Sequence, residues 1–118
     1  MTFSTIFVRF QVPGFHHWPE PTERRVYLGH RHRHLFHVEV RIDVGHDDRE
    51  VEFHDLLDFA RTQFPGGELG GQSCEMMARS LGNKIARQFG RAVEVSVSED
   101  GEVGAVVLTP LPAGAVDG

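Results

Sequence analysis

The chain has 118 residues, 40% hydrophobic and 25% charged, which suits one globular domain with a modest core and leaves too little for two. Its formal net charge of -5, with histidine neutral, argues against a binder of nucleic-acid backbone. The single cysteine, Cys74, excludes a disulfide framework and a cysteine-rich structural zinc site.

The stretch Met1 to Phe10 has neither a basic leader nor an unbroken apolar run, so the expectation is a cytoplasmic protein without signal peptide or membrane span. Ile6, Val8, Phe10 and Val12 alternate with Phe7, Arg9 and Gln11, a half-buried strand that Pro13-Gly14 should end. The segment His16-His17-Trp18-Pro19-Glu20-Pro21 reads as a loop. A second strand runs from about Arg31 to Val44, with Phe36, Val38, Val40, Ile42 and Val44 on the face of His32 and His34. Its other face carries Arg33, His37, Glu39, Arg41 and Asp43 and is therefore wet.

After a turn at Gly45-His46-Asp47-Asp48, Arg49 to Phe53 returns briefly before a helix. Phe53, Leu56, Leu57, Ala60 and Phe64 then recur at helical spacing until Pro65-Gly66-Gly67. Ser73 can cap a second helix whose apolar stripe is Met77, Leu81, Ile85 and Phe89, closing at Gly90. Val93, Val95 and Val97 mark a strand, Asp100-Gly101 a turn, and Val103 to Leu108 a final strand. This order predicts an α+β domain over residues 1–110, a four-stranded antiparallel sheet with both helices on its apolar face, and a flexible C-terminal tail over 111–118. Four strands leave two open edges, which favours a homo-oligomer closing into a barrel.

Five histidines crowd into Gly29 to His37, and His16-His17 lies upstream. Successive strand side chains alternate in face, so His32 and His34 project together, about 7 Å apart along the chain, within reach of one ion. His16 or His17 can supply a third imidazole. Three neutral imidazoles with an open fourth position are the usual catalytic zinc arrangement. Glu99 shares the face of Val93, Val95 and Val97, and a carboxylate on an apolar face wants a partner or a use.

With these landmarks in order, the chain resembles the 6-pyruvoyltetrahydropterin synthase and 6-carboxytetrahydropterin synthase family of tunnelling folds, from about Phe7 to Val107. The resemblance makes His16 the first zinc histidine and His32-Arg33-His34-Leu35-Phe36 the H-x-H pair, in preference to His30-x-His32. It matches Glu52-Phe53 to the start of the first helix, Ser73-Cys74-Glu75 to the start of the second, and Glu99 to the carboxylate that anchors the pterin ring. What it implies is zinc as cofactor, Ser73, Glu75 and Glu99 as substrate-binding residues, a trimer or hexamer, and lyase chemistry on a pterin or purine-derived substrate. Two family features are missing. The catalytic cysteine falls at Leu28, and the Asp-His-His segment between the helices is replaced by Pro65 to Gln72, which holds neither Asp nor His. His30, His37, His17 and His54 are the possible replacement bases; His37 should point to the wet face, and His30 and His17, adjacent to ligand positions, can equally hydrogen-bond a metal ligand. The alternative is a zinc-containing protein that binds a pterin or purine metabolite without turning it over.

Overall fold

The computed structural model describes residues 3–112. The expected tail beyond residue 110 lies, from 113 on, outside them. The elements are β1 (Ser4–His16), a 3-10 helix (Glu23–Gly29), β2 (His32–Val44), α1 (Phe53–Gln63), β3 (Gly67–Glu68), α2 (Cys74–Phe89), β4 (Val93–Glu99) and β5 (Val103–Thr109). The sheet order is β3-β1-β2-β4-β5, antiparallel throughout except for the short parallel pairing of β3 with β1.

The sheet therefore has five strands rather than four. Leu69 N–H donates to Phe15 O beside β3, so the glycine-rich connection after α1 is stitched to the end of β1. β1 itself runs on through Pro13-Gly14 instead of ending there, and carries His16 into register opposite His32. Proline is tolerated at that point because beyond Val12 the outer neighbour of β1 is only the two-residue β3, and a near-edge strand does not need every N–H. The brief return at 49–53 is a turn leading into α1 and not a strand. Arg49 sits at φ 55, and the Glu50 carboxylate accepts from Gly45 N–H and Arg91, which holds a turn instead.

Period-two alternation sorts the strands as read: Phe36, Val38, Val40, Val95 and Val97 are fully or almost fully buried. Above them α1 contributes Leu56 and Ala60, and α2 contributes Met77, Leu81 and Ile85. Each fully buried aliphatic side chain contributes roughly 1.5–3 kcal/mol. Phe53, counted in the α1 stripe, is exposed because it occupies the first helical position, ahead of the turn that meets the sheet. Ser73 Oγ accepts from Met76 N–H, and Gly90, at φ 66, closes α2 in the left-handed conformation. Where α2 crosses β5 it does so at Gly82, since a Cβ there would collide with Thr109 Oγ1. No helix among the described residues is long and apolar enough to cross a membrane.

Candidate metal centre

The β1–β2 register puts His16 opposite His32 and leaves His34 opposite Gly14. A Cβ at Gly14 would come within 2.8 Å of Leu69 Cδ1 and 3.1 Å of Phe36, so the absence of a side chain there keeps the end of the sheet from being overfilled. The three imidazoles meet edge to face, with ring centroids 4.6 Å (His16–His32), 4.9 Å (His32–His34) and 5.3 Å (His16–His34) apart. Phe36, fully buried, floors the cluster against the rings of His16 and His34. Glu99, the last residue of β4, completes a group of four whose ligating atoms all lie within 4.8 Å of one another.

Each ring is held by its Nδ1. His16 Nδ1 donates to the Gln72 carbonyl at 2.8 Å, His32 Nδ1 to the His30 carbonyl at 2.8 Å, and His34 Nδ1 to Asp100 Oδ2 at 2.7 Å. Carbonyl and carboxylate oxygens only accept, so each Nδ1 donates in these bonds and Nε2 is the nitrogen left to face the cluster. Among the described residues, His16 Nε2 and His34 Nε2 are buried without a hydrogen-bond partner. Glu99 Oε2 approaches them to 2.9 and 3.7 Å, but the first approach is not aligned as a hydrogen bond and the second is too long for one. Lone pairs of three imidazoles and a carboxylate facing one point repel unless a cation lies between them. This donor set therefore fits a divalent ion of the zinc type.

Asp100 does more than form the turn that Asp-Gly signals in the sequence. In the structure it lies at φ 58, takes Leu35 N–H on Oδ1 at 2.9 Å, and sends its own N–H to Leu35 O at 2.8 Å. The Leu35 N–H, and after it the His34 ring, hold its carboxyl below the usual carboxylate range. The carbonyls of Gln72 and His30 had no sequence signal at all, since any residue can supply one.

Beside the cluster opens a cleft of 530 Å³, lined in part by His17, Leu28, Ser73, Glu75 and Glu99. Of the candidate bases, His17 faces the cleft, and His54, exposed on α1, does not line it. The His30 side chain is exposed and does not line it, while its carbonyl orients His32. Leu28, in the 3-10 helix, offers the cleft an apolar wall where the resemblance wants a cysteine. Cys74 is no substitute: burial, with Glu99 and Glu75 adding to it, pushes its thiol up to about 12. His37 lies elsewhere, near Gln11 on the opposite face of the sheet. Arg31 stacks on Phe15, 3.7 Å from the ring centroid, and pairs with Glu68, bracing the start of β2 against β3.

A sheet antiparallel in its long strands with two helices on one face matches the tunnelling fold. Solved structures that the chain is similar to include 6-pyruvoyltetrahydropterin synthases. A catalytic-residue variant of the Plasmodium vivax enzyme superposes with a TM-score of 0.74 at 11% identity, covering 93% of this chain and 99% of that one. The Plasmodium falciparum enzyme gives 0.71 at 11% identity with the same coverage. The Caenorhabditis elegans enzyme gives 0.65 at 12% identity, covering 93% and 96%. No family model and no curated protein sequence matches the chain. The chain has the fold of these synthases, and at such identities the likeness carries the fold alone.

Proposed function

We propose that the protein is a zinc lyase of the 6-pyruvoyltetrahydropterin and 6-carboxytetrahydropterin synthase type, acting on a pterin or purine-derived substrate in the cytoplasm. The observation that carries this reading is the convergence of three Nδ1-anchored imidazoles on one point at the mouth of a cleft. His16, His32 and His34 would hold the ion, which when bound would polarise the oxygens of a substrate side chain as a Lewis acid. Glu99, with Ser73 and Glu75 along the same wall, would receive the N–H edge of the ring. Of the histidines outside the cluster, His17 is the one able to exchange a proton with a bound molecule, because it faces the cleft. The open β3 and β5 edges support assembly into a closed trimer or hexamer.

A second reading has its own support. Leu28 is inert and the Cys74 thiol stays protonated. The connection from Pro65 to Gln72 offers no acid or base other than Glu68, which is already paired with Arg31. These features favour a zinc-containing binder of a pterin or purine metabolite. Incubation of zinc-loaded protein with dihydroneopterin triphosphate, followed by chromatography of the products, separates the two. Turnover supports the lyase; pterin binding by calorimetry without turnover supports the binder; neither, in metal-loaded protein, refutes both.

A further inference from the structure

The cluster holds one ligating group more than a three-histidine centre requires. Four ligands at bond lengths of about 2.0–2.1 Å in a tetrahedron are separated along its edges by about 3.3 Å. Glu99 Oε2 stands 2.9 Å from His16 Nε2 and 3.7 Å from His34 Nε2, on either side of that value. Its backbone is fixed by the turn that follows: Glu102 N–H donates to Glu99 O, and Asp100 N–H to Leu35 O. Its side chain is a quarter exposed and lines the cleft, so the same carboxylate faces both the imidazoles and the space where a ring would lie. Taking the paired N–H groups of a ring uses both carboxylate oxygens, which competes with holding Oε2 among the imidazoles.

We infer that Glu99 is a displaceable fourth ligand. In the ligand-free protein it closes a three-histidine, one-glutamate centre, and a ring that takes up the carboxylate draws it off the ion and opens the fourth position. This rests on the ring-binding role proposed above and adds an order of events to it: the ion is shielded from water and small anions until the cleft is filled. A centre closed by four protein ligands is inert, whereas an open one is reactive. One side chain would therefore couple occupancy of the cleft to reactivity of the metal.

Cobalt(II), loaded into chelator-stripped protein, reports the coordination by its visible absorption, and azide reports an open position. In wild-type protein azide should leave the band unchanged, and neopterin should shift it as Glu99 leaves and the side-chain oxygens reach the opened position. The Glu99→Gln variant, nearly isosteric and only partly buried, should respond to azide at once and bind cobalt at least 10–100-fold more weakly, the loss typical of removing even an outer partner of a ligand. Circular dichroism and a Glu99→Ala variant exclude a folding defect as the cause. Azide sensitivity in wild-type protein at the outset, or a Glu99→Gln variant with unchanged spectrum and affinity, overturns the fourth ligand. Neopterin that binds by fluorescence without moving the band overturns the displacement. Neopterin that fails to bind counts against the ring-binding function and leaves the azide comparison to decide the closed centre. Cobalt binding unaffected by the His32→Ala, His34→Ala double variant refutes the metal centre itself.

Discussion

Removing the Asp100 carboxylate should loosen one of the three imidazoles that would hold an ion and leave the other two in place. His16 and His32 lean on backbone carbonyls, and only His34 depends on a side chain, through a 2.7 Å hydrogen bond from its Nδ1 to Asp100 Oδ2. Deleting such an outer partner costs about 10–100-fold in metal affinity, or about 1.4–2.7 kcal/mol. The substitution has to respect the backbone. Asp100 lies at φ 58, where alanine would add about 1–2 kcal/mol of left-handed strain unrelated to the metal. Asp100→Gly removes the carboxylate without that strain. Asp100→Asn tolerates the conformation but can offer an acceptor to only one of its two donors, Leu35 N–H or His34 Nδ1, and should fall between. Competition against a chromophoric zinc chelator measures the affinity, and thermal unfolding in excess chelator isolates the part of the effect that belongs to the turn. Wild-type zinc affinity in Asp100→Gly would refute the reasoning, because His34 would then be oriented without its carboxylate.

Gly82→Ala should destabilise the fold by about 1–3 kcal/mol, against the usual helix preference for alanine, because the new Cβ meets Thr109 across the α2–β5 contact; a rise in melting temperature would contradict this. Arg91 first, and then Gly45 N–H, lower the pKa of Glu50, so its contribution is present above the unfolded carboxylate pKa and lost as pH falls through the folded one. The melting temperatures of wild type and Glu50→Gln should accordingly differ at neutral pH and converge in acid, and a constant gap would show that the ion pair is not the cause. Multi-angle light scattering should find a homo-oligomer, and Val106→Lys on the exposed face of β5 should weaken it. A wild-type monomer at micromolar concentration would remove the barrel.

Strand faces were legible because a buried face forces period two: the alternation of Phe36 to Val44 and of Val93 to Val97 is reproduced residue by residue in the burial. The ends of α2 were legible because Ser73 and Gly90 have one physical use each there. Glu99 could be assigned to the inner face by the same parity, but not to the imidazoles, since parity says nothing of where a long side chain reaches. Pro13-Gly14 misled because the pair looks like a strand end wherever it occurs. What it does depends on the neighbour of β1, and β3 is only two residues long. The 3-10 helix at 23–29 escaped for the opposite reason: it buries no residue, so no apolar period announces it.

The ligating atoms belong to three strands, and along the chain they are as distant as His16 and Glu99. An ion seated among them would act as a cross-link over long loops of the unfolded chain, a kind of constraint whose entropic benefit grows with the length it closes. It would tie β1, β2 and β4 together at the end of the sheet where the rings gather. Amide hydrogens of Phe15, Arg33 and Ser98 should then exchange markedly faster after chelation, while those around Val40 and Val95, deep in the core, keep their protection. The same histidines that would serve a substrate would thereby decide how firmly that end of the sheet is shut.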